Sequence, residues 1–163
     1  MKISQQIISL EHKPFIIAEM SGNHNQSLDR AIDLVKAAAA AGAHALKLQT
    51  YTADTMTIDC DAPGFTVTDE DSAWYGRSLY DLYQEAHTPW EWHKPIIEKC
   101  LELGLIPIST PFDETAVEFL EEFGLPAYKV ASFENADIPL LRRIAATGKP
   151  MIISTGMLSL DEL

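Results

Sequence analysis

The sequence predicts an α/β fold built on a parallel sheet, and three observations carry that expectation. Five short, β-rich apolar runs alternate along the chain with amphipathic helical stretches. The runs are almost continuously apolar, as parallel strands covered on both faces are. Composition is that of a packed domain, with 47% hydrophobic residues and ordinary numbers of Pro and Gly at 9 and 8. A complete eight-stranded α/β barrel takes about 250 residues, and this chain has 163. The pattern therefore leaves two architectures open, a smaller sheet or part of a larger one.

Strands are expected at Pro14 to Glu19, His44 to Thr50, Leu105 to Thr110, Ala127 to Glu134 and Pro150 to Thr155. The first helix, Ser27 to Ala41, places Leu28, Ile32 and Val35 on one face, with Ser27 as cap and Gly42 as terminator. The second opens on Thr88-Pro89-Trp90-Glu91, which reads as a capping box with Pro at the first helical position, and runs through Trp92, Ile96 and Ile97 to Gly104. A third covers Glu114 to Phe123, turning Val117, Leu120 and Phe123 inward, and a fourth covers Ile138 to Ala146 before Gly148. Between the second strand and the second helix, Tyr51 to Ser78 has no regular period and reads as a long functional loop. Leu79, Leu82 and Tyr83 then share a face of a short additional helix, Leu79 to Ala86. No linker or second domain is visible.

Charge narrows the partners. Twelve basic against twenty-four acidic side chains give a net charge of −12, which repels phosphate backbones and argues against nucleic acid. No run of about 18 apolar residues is present and the amino terminus lacks the layout of a secretion signal, so no membrane partner and a cytoplasmic location are expected. Cys60 and Cys100 stand forty residues apart with no CxxC spacing, so both read as free thiols.

The chemistry is expected at the carboxyl ends of the strands, where parallel α/β sheets bring side chains together around a substrate. Each end is polar: Glu19, then Lys47 and Gln49, then Ser109-Thr110, then Lys129, Ser132 and Glu134, then Ser154-Thr155. Lys47 and Gln49 share one side of their strand because side chains alternate. A lysine inside a strand is costly unless paired, so Lys47 and Lys129 together suggest a cationic pocket, completed by hydroxyls, for a small phosphate- or carboxylate-bearing molecule. Taken singly, each lysine is as well explained by an edge strand or a snorkelling stem, Glu19 and Glu134 by solvated strand ends, and Thr110, Ser132 and Ser154 by helix caps. The set argues more than its members. His24, His87 and His93 form no i, i+4 pair and read as packing, as do Trp74, Trp90 and Trp92 with Tyr75, Tyr80 and Tyr83.

These residues also carry a resemblance. Ala18-Glu19-Met20-Ser21-Gly22-Asn23-His24-Asn25, Lys47-Leu48-Gln49-Thr50, Ser109-Thr110-Pro111-Phe112, Tyr128 to Glu134 and Ser154-Thr155-Gly156-Met157 resemble, in order and spacing, the sialic acid synthase family. The resemblance runs from about Pro14 to Leu160. Tyr51 to Thr57, Leu79 to Tyr83 and Thr88 to His93 look like the pseudaminic acid branch of that family.

The resemblance implies a (β/α)₈ barrel of the TIM type, of which residues 1–163 would supply about the first five β/α units. The remaining strands and a small antifreeze-like domain would lie beyond Leu163, with Ser159 to Glu162 opening a further helix. It implies condensation of phosphoenolpyruvate with an open-chain acetamido sugar, 2,4-diacetamido-2,4,6-trideoxy-altrose, releasing phosphate. By motif position, Lys47, Thr110, Lys129, Ser132 and Ser154 would bind phosphoenolpyruvate. Gln49 and Glu134 would face the sugar, and Glu19, Lys47 and Lys129 would be catalytic. A divalent metal, Mn or Mg, is implied as cofactor; no ligand for it is expected in this chain, the two ligand histidines falling beyond Leu163. A homodimer is implied for the full-length form, and this chain alone is expected to turn over weakly or not at all, with sticky open edges. Other readings stay open: an N-acetylneuraminate or legionaminic acid synthase, a Schiff-base aldolase using Lys47 or Lys129, and a non-catalytic fragment that only binds an anion.

Overall fold

The computed structural model describes residues 1–162. Its centre is a five-stranded parallel sheet in sequential order: β3 (Ile17–Ser21), β4 (Ala45–Thr50), β5 (Ile106–Pro111), β6 (Tyr128–Val130) and β7 (Met151–Ile153). The order never reverses, so the crevice that a reversal opens in doubly wound sheets is absent among these strands. Two short strands that the apolar pattern does not reveal, β1 (Lys2–Ile3) and β2 (Gln6–Ile7), precede it as an antiparallel hairpin.

The helices follow the expected registers with caps that explain their ends. Helix α1 (Leu28–Ala40) starts at Ser27, whose hydroxyl accepts the Arg30 amide. In the long loop, the Thr52 amide donates to Thr55 Oγ1 at 3.0 Å at the start of a single turn, α2 (Ala53–Met56), and α3 (Leu79–Ala86) is capped by Ser78. Helix α4 (His93–Glu102) packs on α1, α5 (Glu114–Glu121) is capped by Asp113, and α6 (Ile138–Ala145) by Asp137.

Two expectations need correction. Thr88 does not cap the second helix: its hydroxyl donates instead to the carbonyls of Ser21 (3.2 Å) and Gly22 (3.3 Å), and the helix enters through a 3₁₀ turn at Trp90–Trp92. The fourth strand ends at Val130 rather than Glu134, because residues 134–136 wind into a 3₁₀ turn that leads to the Asp137 cap. Ser159 to Glu162 form a turn in which the Glu162 carboxylate accepts from the Ser159 amide and hydroxyl, the arrangement found where a helix opens.

The sheet has two different faces. On one, Leu46, Leu48, Tyr128 and Val130 meet Val35 of α1, Ile96, Ile97 and Cys100 of α4, Val117 and Leu120 of α5, and Leu140 and Ile144 of α6. This is the main core. On the other face, Ile108 and Ala127 with Ile106 and Ile152 meet Ile3 of the hairpin, together with Ile8 and Phe15. This second face is thus plugged at its lower half by the amino terminus, with Ile3 fully buried. Plugging the lower half leaves the carboxyl ends of the strands on that face free to carry polar groups.

Candidate active site

Alternation sends Lys47 and Gln49 of β4 to the face opposite Leu46 and Leu48, above the hairpin plug. The pairing register then lines up their neighbours: Glu19 lies opposite Lys47, and Thr110 opposite Gln49. Lys47 pairs with the Glu19 carboxylate and donates to Thr110 Oγ1 at 3.3 Å. Its side chain is only 14% exposed, so the stem is buried and the ammonium group alone reaches the rim. Glu19 also accepts from the Ser21 amide at 3.1 Å, and the Ser21 hydroxyl donates to Gln49 Oε1 at 3.3 Å.

Lys129, on β6, donates to Ser154 Oγ and to the Val130 carbonyl. Its pKa is lowered from the ordinary lysine value, first by burial and then by the positive charge of Lys47, with Glu19 and Glu134 acting in the opposite direction. The two lysines, although two strands apart, therefore share one field, and Lys47, Lys129, Thr110 and Ser154 converge on one rim. Ser132 is delivered by the turn after β6 instead of by strand alternation. Its hydroxyl lies against Gly156, where an added Cβ would come within 2.9 Å of it. Gln49 stands on the Glu19 side, three strands from β7.

Glu134 enters from the 3₁₀ turn. Its Oε2 is buried without a hydrogen-bond partner, and burial, followed by Asp137, raises its pKa. A carboxylate oxygen left in that state next to a cationic rim marks a place where a donor from a ligand would be welcome.

The sequence pattern missed two groups that shape this rim. Asn135 donates from Nδ2 to the carbonyls of Ser154 (3.2 Å) and Gly156 (2.7 Å), tying the turn after β6 to the segment after β7. Asn23, in the loop after β3, bonds the Glu85 carbonyl at the end of α3 and accepts from Gln26. That loop has Ser21, His24, Asn25 and Gln26 at φ of 50–59°, a conformation that costs non-glycine residues energy and gathers near functional sites. Such backbone states leave no signature in hydrophobic periodicity. Among the described residues no group of three His, Cys, Asp or Glu side chains could hold a metal ion, so these residues do not by themselves fit the implied cofactor.

Lysines, hydroxyls and carboxylates are thus gathered at the strand ends of a parallel α/β sheet, a set whose chemistry suits an anion. The comparisons with known proteins make this specific: residues 34–163 match the NeuB family, and the chain belongs to it. The chain is 46% identical over 153 residues to the pseudaminic acid synthase of Campylobacter jejuni, covering 94% of this chain and 44% of that protein. It is 36% identical over 149 residues to the N,N'-diacetyllegionaminic acid synthase of Legionella pneumophila, covering 91% of this chain and 41% of that protein. The crystal structure of the spore coat polysaccharide biosynthesis protein SpsE from Bacillus subtilis superposes with a TM-score of 0.76 at 33% identity, over 99% of this chain and 41% of that one. The chain thus spans less than half the length of these two synthases.

Proposed function

We propose that this chain supplies the phosphoenolpyruvate-binding half of a nonulosonic acid synthase site, on a sheet that makes up five units of a (β/α)₈ barrel. The observation that carries the reading is the common rim of Lys47 and Lys129. Two ammonium groups and the hydroxyls of Thr110, Ser132 and Ser154 match a small molecule bearing both phosphate and carboxylate. Sequential parallel order fits a barrel segment, and the higher identity to a pseudaminic acid synthase than to a legionaminic acid synthase favours 2,4-diacetamido-2,4,6-trideoxy-altrose as the second substrate.

In the proposed reaction the enol carbon of phosphoenolpyruvate attacks the sugar aldehyde. One C–C bond forms, and the aldehyde oxygen takes up a proton. Water then adds to the cationic carbon and loses a proton, and the C–O bond to phosphorus breaks, leaving a ketone and inorganic phosphate. Lys47 and Lys129 would hold the phosphate and carboxylate in position and offset their charge. Glu19, beside Lys47, would orient water or move a proton. Gln49 and Glu134 would face the sugar. A divalent metal, Mn or Mg, would polarise the aldehyde when bound, held by histidines outside this chain, and the full-length form would be a homodimer.

Calorimetric titration with phosphoenolpyruvate tests this reading. Saturable binding by the wild-type chain, weakened at least tenfold in Lys47→Ala and Lys129→Ala, is expected; absence of binding would remove its basis. A second reading has one observation in its favour: the lowered pKa of Lys129 leaves a larger share of its amine unprotonated, as a Schiff-base aldolase requires. Borohydride treatment in the presence of a keto acid would leave a covalent adduct on Lys129 in that case, and the synthase reading forbids one.

A further inference from the structure

Behind the rim, on the helix side of the sheet, three polar side chains are buried in otherwise apolar packing: Thr50, Ser109 and His93, each with no accessible surface. Burying such groups costs free energy unless every one is hydrogen-bonded. Here the bonds can be directed. His93 Nδ1 faces the Trp90 carbonyl at 3.2 Å, so that nitrogen carries the proton. Burial pushes the imidazole pKa down to about 4, so the ring is neutral near pH 7 and Nε2 is left as an acceptor. Thr50 Oγ1, 2.8 Å away, must donate to it, and Thr50 can then accept only from Ser109 Oγ at 2.7 Å. The chain runs one way, from Ser109 to Thr50 to His93 to the backbone of Trp90.

This chain is a diagonal brace. In the β4–β5 register Leu48 lies opposite Ser109, so the Thr50–Ser109 bond leans two residues forward on β4. On the other face Lys47 lies opposite Ile108, and the Lys47–Thr110 bond leans two residues forward on β5. The two diagonals cross through the sheet. Sliding β5 toward its carboxyl end shortens one and stretches the other, and sliding it back does the reverse.

We propose that His93 is a positioning residue for the anion rim: acting through Thr50 and Ser109, it fixes the slide of β4 against β5 and so the spacing of Lys47, Gln49 and Thr110 on the opposite face. The inference rests on the phosphoenolpyruvate reading for its functional meaning, and on the crossed bonds for its mechanics.

The test uses Thr50→Val, which removes the middle hydroxyl, with Thr50→Ser as the rescuing change. Ile96→Val serves as a control that loosens the same helix–sheet interface without touching the brace. Two quantities are read on the folded proteins: the Kd for phosphoenolpyruvate, and the ¹⁵N and ¹H shifts of the Lys47 ammonium group without ligand. Thr50→Val is expected to raise Kd about tenfold, on the scale of one weakened charge-assisted hydrogen bond, and to move the Lys47 signal. Thr50→Ser and Ile96→Val are expected to leave both near wild type. A Thr50→Val protein with wild-type Kd and Lys47 shift overturns the proposal, as does an Ile96→Val protein that moves both equally. If the wild type fails to bind phosphoenolpyruvate, the functional reading falls, and the Lys47 shift alone decides the brace. If Thr50→Val does not fold, Ser109→Ala breaks the same brace at its donor end and is judged by the same two readouts.

Discussion

Lys129 is a weaker base than an ordinary lysine first because it is partly buried and then because of the positive charge of Lys47, two strands away. Removing that charge should relieve the effect. In Lys47→Met the pKa of Lys129 is expected to rise toward its ordinary value, with burial still holding it somewhat low. The check is an NMR titration of the Lys129 side chain; an unchanged Lys129 pKa in the variant would mean that the two groups do not share a field.

Glu134 offers a stability prediction with an unusual sign. Its pKa is raised in the fold, so its contribution is most favourable below the unfolded carboxylate pKa and is lost as pH rises through the folded value. At pH 7 the wild-type chain therefore bears a cost that Glu134→Gln removes. The variant is expected to melt at a higher temperature than wild type at pH 7, with the gap closing by pH 4, while any ligand contact made by the carboxylate is lost. Melting curves at the two pH values decide this.

His93 acts at the acid end in the opposite sense. Its pKa falls from 6.5 to about 4, with burial as the main cause and Glu91 as the charged neighbour that partly opposes it. A depressed folded value means that stability is fully present above pH 6.5 and drains away as pH drops to 4, because only the unfolded chain takes up the proton. The loss attributable to this residue is up to about 3 kcal/mol. Urea denaturation of wild type and His93→Gln across that window should show a steeper acid loss in the wild type.

Much of the architecture is legible in periodicity. The first strand's apolar run, the Ser27 cap and the Gly42 stop set α1 within a residue of its observed limits, and the alternation around Lys47 sets the face it occupies. What escaped has physical reasons. The hairpin at Lys2–Ile3 and Gln6–Ile7 has two residues per strand, too few for a period-two signal. Thr88 satisfies the letter of a capping box, yet two loop carbonyls outcompete the helix amides for its hydroxyl. Ser132 and Glu134 are expected at a polar strand end, but a turn delivers them, because the strand stops at Val130. His93 read as simple packing, because a hydrogen-bond chain across two strands and a helix has no linear spacing.

The hairpin makes its own prediction. Ile3 is completely buried against Ile108 and Ala127, so Ile3→Ala should cost about 2–5 kcal/mol in urea unfolding. A loss under about 1 kcal/mol would show that the plug is dispensable to the lower half of the sheet.

Gly156 tests the site from its far wall. Its backbone conformation suits any residue, but a Cβ there would meet Ser132 Oγ at 2.9 Å. Gly156→Ala is expected to leave the melting temperature within a few degrees, as for a change of about 1 kcal/mol, and to weaken phosphoenolpyruvate binding by displacing Ser132. Equal affinity in the two proteins would remove Ser132 from the rim.

The most direct measurement follows the ammonium signals of both lysines in one protein during titration with phosphoenolpyruvate. The account predicts that Lys47 and Lys129 shift together along one saturation curve, because a single anion touches both. Movement of one signal alone, or of neither at saturating ligand, would contradict it.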